Sequence, residues 1–428
     1  MNKQEFMEKV RSTGSVLGLE RMERLCDVMG NLQNQIPLIH VAGTNGKGSV
    51  CAMLRAGLVA CGLKVGNYSS PAVFSYEEII QINGDPIKKE RLDSIFEELY
   101  FKWTSNYEDE VPTLFELETA AAFCYFYQEN CQIAIIETGL GGRMDATNVI
   151  KDPVLSVLTS ISMDHCQILG NSLSEIAYQK AGIIKKAGTV VSNRQDEEIM
   201  KVLSDEVALQ EANFLIANSN HLIIQSSTID GICFDCKIGE RWLKDQKLSL
   251  TGLAQEENLC LLIGIYEALS KTFHLNAETF FGALTKVDHP GRFQKVWDHP
   301  TVIIDGAHNP DAAKKLRDTL LKLFPHRNIR FVIGVFKDKN YQEELKLLLP
   351  LAQKVYTIKP NQSRGLDAKE LKTVALQYCL DVENCGCVAN GIKRALSDAD
   401  GEDCIVICGS LSILDEAQRT IQQAKKKE

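Results

Sequence analysis

The sequence predicts an α/β protein: a mostly parallel sheet with a P-loop-type turn at its edge, followed by a smaller Rossmann-like α/β domain. Three observations predict it. An apolar run ending at Val41 breaks into a glycine-rich loop with one lysine, HVAGTNGKGSV from His40 to Val50, and a helical pattern starts at once. Buried-type strands then alternate with helical patterns. After KVDHPGRFQKVWDHP, from Lys286 to Pro300, the alternation begins again. At 428 residues the chain is long for a single core, so more than one domain is expected.

Taken in order, the N-terminal segment MNKQEFMEKVRS is polar and helical. The loop helix carries Val50, Met53, Leu54, Gly57 and Leu58 on one face. Residues 63–70 read as a second strand that completes a right-handed β-α-β unit, and 70–85 as an irregular polar stretch ending in the turn signal Asn83-Gly84-Asp85-Pro86. Helices are predicted near 88–103 and 113–129. Strands follow at 131–137, ending on Glu137, and at 152–161, ending near Asp164-His165. Ser172 and Glu175 form a capping box opening a helix that carries Lys180, and 188–192 is another buried strand. From 201 to 250 the pattern is weaker and strand-like, and 255–272 is helical. The expected division is 1–286 for the nucleotide-binding domain, 287–299 for a linker and 300–428 for the second domain.

A strand, a glycine-rich turn and a helix N-terminus are the parts of a phosphate cradle, because backbone N–H groups converge there and the helix dipole favours negative charge. Gly43, Thr44, Asn45, Gly46, Lys47, Gly48 and Ser49 are the candidate contacts, with Lys47 adding a point charge. The strict Walker spacing is absent: position 41 is Val, and Gly48 separates Lys47 from Ser49. Glu137 and His165 follow parallel-type strands and fall on the sheet edge where ligands bind. A carboxylate beside a triphosphate is a natural Mg²⁺ ligand, and Ser70 could add a hydroxyl oxygen. Arg292, between the two α/β blocks, can reach phosphates across the cleft. Asp305 ends a strand and could accept from ribose hydroxyls, while His308 and Asn309 cap the next helix or touch substrate. Lys180 by itself reads as a surface lysine.

The bulk numbers exclude several classes. A net charge of −9 without a broad basic face argues against nucleic-acid binding. No apolar run reaches membrane-spanning length and no signal peptide is evident, so no membrane partner is expected. The 14 cysteines fall largely in apolar runs, and Cys233-x-x-Cys236 lacks a second pair, so neither disulfides nor zinc are expected and a reducing cytoplasm fits. A monomer is expected, since no exposed apolar helix demands a partner.

In order, GTNGKGS, SSPAVFSYEEIIQING, PTLFELETAAAF, ETGLGGRMDATN, SISMDHCQILG, IAYQKAGIIK, HPGRF and DGAHNP closely resemble the folylpolyglutamate synthase/dihydrofolate synthase family of the Mur ligase superfamily. The resemblance runs from about residue 10 to Leu414. GTNGKGS is shared across the superfamily, whereas GLGGRMDATN with the QKAGI segment points to the folate branch. The resemblance implies an ATP- and Mg²⁺-dependent ligase that joins L-glutamate to a folate or to dihydropteroate through an acyl phosphate. It implies that Ser70, Glu137 and His165 hold Mg²⁺ and that Lys180 becomes carbamylated. It further implies that Arg292 and Asp305 contact ATP, that Asn258 meets the adenine, and that His308 faces the glutamate side. Lys47, Lys180, His165 and His308 are thus the expected catalytic residues. Ala72 and Glu78 depart from the family's SPH and ERI pattern, and Ala254 stands where a His is common, which bears on the acceptor-side loop. Two other readings are a nucleotide-binding paralogue without catalysis and another Mur-type amino-acid ligase. The first has no need for all the retained charged residues; the second is disfavoured by GLGGRMDATN.

Overall fold

The computed structural model describes residues 2–14, 16–107 and 110–426. Its first sheet has eight strands: β1 (Leu38–Ala42), β2 (Val65–Tyr68), β3 (Ile80–Ile82), β4 (Asp85–Pro86), β5 (Ile133–Glu137), β6 (Leu155–Leu158), β7 (Thr189–Ser192) and β8 (Asn213–Ile216). Their spatial order is β4-β3-β2-β5-β1-β6-β7-β8. All five residues of β1 are buried, because helices cover both faces of the sheet. Ile39 and Val41 enter one core with the helices Lys47–Ala60 and Leu253–Leu269, while Leu38 enters another with Leu114–Gln128.

The order also places the site. β1 is central, parallel to β5 on one side and to β6 on the other. Val41 pairs with Glu137 and Ala42 with Leu158, so three strand ends open at one edge. Connections leaving in both directions from a central strand create the crevice in which α/β sheets bind ligands.

The unit opened by β1 closes with β2, which like β1 runs parallel to β5, so one strand lies between the two. Two expectations are corrected. The stretch 70–85 is not irregular throughout: a turn at Tyr76–Ile79 leads into β3, which pairs antiparallel with β2 and β4. Burial of Ile79 and Ile80 holds it there. Residues 201–209 belong to the helix Glu197–Leu209, which buries Ile199 and Leu203 one turn apart, so the strand-like signal starts only at β8. A three-stranded antiparallel sheet follows: β9 (Leu222–Thr228), β10 (Gly231–Ile238) and β11 (Arg241–Leu248).

The second domain is built on β12 (Gln294–Trp297), β13 (Thr301–Ile304), β14 (Ile329–Ile333), β15 (Ala352–Ile358), β16 (Val382–Gly386) and β17 (Cys404–Cys408), in the order β12-β13-β17-β14-β15-β16. The strands from β13 onward run parallel, and β12 is an antiparallel edge strand. Part of the stretch expected as linker is therefore strand. Cores on both faces of this sheet take alternate residues, such as Ile303 on one side and Val302 and Ile304 on the other. Among the described residues every cysteine is free, and no helix is long and apolar enough to cross a membrane.

Candidate active site

The phosphate loop is held from below by the segment after β6. Thr44 and Asn45 donate their N–H groups to Ser160 O at 2.7 and 3.3 Å, and the Thr44 hydroxyl bridges Ser162 O. Gly43 (φ +154°) has no room for a side chain, since a β-carbon would sit 1.8 Å from Thr159 Oγ1. Gly46, at φ +89°, turns the chain into the helix Lys47–Ala60. Lys47 Nζ folds back over the loop, 3.1 Å from Gly43 O and 3.9 Å from Glu137 Oε1.

Glu137 is the key to the charge balance. It is 5% exposed and accepts no hydrogen bond among the described residues. Burial pushes its carboxyl up to about 7 against the pull of Lys47 and Arg292. A buried carboxylate with no donors is a seat for a cation. The Ser70 hydroxyl, at the same cavity and equally without a hydrogen bond, adds a second hard oxygen. These donors fit Mg²⁺, which keeps waters and nucleotide oxygens in its shell.

Lys180 is not a surface lysine. The helix Leu173–Ala181, opened by the expected Ser172–Glu175 capping box, delivers it to the underside of the loop. There Nζ donates to Gly43 O at 2.8 Å, and burial, aided by Lys47, lowers its amine to about 7. His165 stands in the left-handed region (φ +51°) at the start of a short helix. Burial and the neighbouring Lys339 ammonium lower its ring to about 4, so it is a neutral imidazole. Asn258 lies beneath the loop's turn: a β-carbon on Gly46 would be 2.5 Å from its Oδ1. Its Nδ2 donates to Gln255, whose own amide reaches Ser49 Oγ at 3.3 Å.

The second domain closes the cavity. Arg292 makes no hydrogen bond or ion pair among the described residues and faces Glu137 and Asp305 electrostatically. Asp305 already accepts from Phe293 N and Ala307 N, both at 2.8 Å, so it braces the domain crossing as well as lining the site. His308 does not cap the following helix. Asn309 does, accepting from Ala312 N, while His308 turns Nδ1 to Gly306 O at 2.7 Å and Nε2 towards Asp164 at 3.6 Å. Every predicted site residue thus lines one cavity of about 450 Å³.

Sequence reading named Asn45, Asn309 and Asp164 but not the contacts by which they join the two halves, and it missed Lys339. Asn45 and Asn309 exchange amide hydrogen bonds of 3.2 and 3.0 Å across the interface, and Asn45 also donates to Asp311. Asp164 receives Asn309 Nδ2 and the Lys339 ammonium. Burial would raise its carboxyl, but His308 and Lys339 hold it well below the usual range. Lys339 follows β14 at the ligand edge of the second sheet, and that placement is the one signal that could have found it.

Comparison with known proteins identifies the family. Residues 41–260 match the Mur ligase middle domain and residues 291–411 the Mur ligase, glutamate ligase domain. The Bacillus subtilis dihydrofolate synthase/folylpolyglutamate synthase is 37% identical over 83% of this chain and 84% of its own length. The Mycobacterium tuberculosis folylpolyglutamate synthase complexed with ADP superposes with a TM-score of 0.88 at 29% identity, covering 98% of this chain and 97% of that one. A bifunctional folylpolyglutamate synthase/dihydrofolate synthase with Mn, AMPPNP and L-glutamate bound gives 0.84 at 28% identity, covering 98% of each chain. This chain belongs to the Mur ligase family, on its folylpolyglutamate synthase/dihydrofolate synthase branch.

Proposed function

We propose that this protein is an ATP-dependent ligase that adds L-glutamate to folates and, as a dihydrofolate synthase, to dihydropteroate. The observation that carries the reading is a phosphate cradle and a cation-seeking buried carboxylate, Glu137, facing a second α/β domain across one cavity. In such a reaction the acceptor's carboxylate takes the γ-phosphoryl group of ATP, and the amine of glutamate then displaces phosphate from the acyl phosphate. Both steps crowd negative charge, so positioned donors dominate the catalysis. The loop amides from Gly43 to Ser49 and the Lys47 ammonium hold the phosphates. Arg292, free of protein partners, reaches them from the domain crossing, and Asp305 fixes that crossing. Glu137, Ser70 and His165 would hold Mg²⁺, which when bound shields the phosphate charge. His308 faces the incoming glutamate, and Asn258 supports the nucleotide side.

Lys180 is proposed to carry a carbamate. Its amine must be neutral to add carbon dioxide, and a lysine lowered to about 7 is largely so at slightly alkaline pH. The product, an anionic carbamate plus a released proton, would support the metal beside Gly43. The proposed organisation is a nucleotide domain over 1–286, a linker over 287–299 and a second domain over 300–428, in a monomeric enzyme of the cytoplasm.

ADP release with L-glutamate, measured side by side on dihydropteroate and tetrahydrofolate, tests the function. Release on both acceptors supports the bifunctional reading, and release on tetrahydrofolate alone limits the enzyme to chain extension. Release on neither, from folded protein, overturns the proposal. Lys47→Ala should lower kcat by about 10²–10³ or more, the scale for removing one charge-stabilising donor.

A further inference from the structure

Among the described residues, Lys339 is the one ammonium that the second domain places against the candidate metal ligands. Its side chain is 9% exposed; Nζ donates to Asp164 Oδ1 and lies 3.3 Å from His165 Nε2. The His165 nitrogen that would coordinate a divalent cation therefore already faces a cation, and the two cannot share that lone pair. Asp164, adjacent in sequence, completes the seat with a carboxylate oxygen.

An alternative berth lies in Lys339's own domain. Glu344, in the helix Tyr341–Leu348, is 1% exposed, and its Oε1 has no hydrogen-bond partner. Lys339 is the cation that acts on it most strongly. A displaced ammonium would satisfy that orphaned oxygen.

We propose that Lys339 is a built-in substitute for the divalent cation: it occupies the position between Asp164 and His165, joins the domains there, and is displaced when metal takes His165. The inference rests on the proposed reading of His165 as a metal ligand. It makes metal loading and the Lys339–Asp164 interdomain contact mutually exclusive, so that Lys339 is a positioning residue rather than a catalytic one.

The test is direct Mn²⁺ binding to the nucleotide-free protein, read from the electron paramagnetic resonance of free Mn²⁺. Lys339→Gln, which keeps a polar group near Asp164, should bind Mn²⁺ about tenfold tighter than the wild type. Lys339→Arg, which keeps the charge, should not. Adding His165→Ala to Lys339→Gln should remove the gain. A gain that survives without His165 reflects general electrostatics and overturns the proposal, as does equal binding by Lys339→Gln and the wild type. Lys339→Met provides a second neutral variant if the glutamine protein fails to fold. Mn²⁺ binding by His165→Ala that equals the wild type's with AMPPNP present would instead overturn the metal-ligand reading of His165 itself.

Discussion

At the scale of single residues, burial decides chemistry more than residue type does. Lys180 reads from the sequence as a surface lysine, but in the fold it is buried with its amine lowered to about 7, because Leu173–Ala181 turns it under Gly43. Lys180→Ala should lose activity and regain part of it with added short carboxylates, measured by ADP release; full activity without additives would exclude a carbamate. Glu344 shows the opposite sign of the same effect. Burial pushes its carboxyl from an ordinary 4.5 to about 8. The folded protein then keeps a proton that the unfolded chain has released, so this contribution to stability is complete below pH 4.5 and is lost as pH rises through about 8. Glu344→Gln should flatten the fall in Tm between those two pH values and raise Tm at the upper one. Much of the cavity lining was legible at this scale, since Glu137 ends an apolar run and His165 follows another within four residues. Lys339 did not, because its partner Asp164 lies 175 residues earlier in the chain and no local pattern encodes that approach.

At the scale of elements, the helix Pro310–Leu323 does two tasks with one residue. Asn309 caps it through Oδ1 and spends its Nδ2 on Asn45 and Asp164 in the first domain. Asn309→Ala should cost about 1–2 kcal/mol from the cap alone, seen as a lower Tm. It should also raise the KM for ATP, because Asn45 belongs to the phosphate loop; Asn309→Asp, which retains the cap, separates the two effects. The elements most legible in the sequence were long and strongly patterned, such as Leu114–Gln128 and the strand ending at Glu137. Those that escaped were set by partners. β3 is three residues held by pairing with β2, and β12 lies in a proline-flanked stretch that becomes strand only because β13 offers an open edge.

At the scale of the molecule, polar contacts fasten the two domains. Glu257–Lys315 and Glu256–Lys322 bridge the helices Leu253–Leu269 and Pro310–Leu323 at 2.6 and 2.7 Å, and Asp230–Lys295 joins the β9–β10 turn to β12 at 2.7 Å. Each exposed pair contributes at most about 1 kcal/mol and is screened by salt. Raising sodium chloride to about 0.5 M, where the Debye length shrinks to a few ångströms, should therefore increase the radius of gyration in small-angle scattering. Lys315→Ala/Lys322→Ala should show the expanded value already at low salt. The β9–β10 turn has a further consequence. Beyond its ion pair, Ile229 packs against the core of the second domain, to which Phe293 of the covalent crossing also belongs. A single covalent strand would let the two bodies swivel about every axis. A non-covalent strut on a second segment adds a constraint against torsion that the covalent crossing alone lacks.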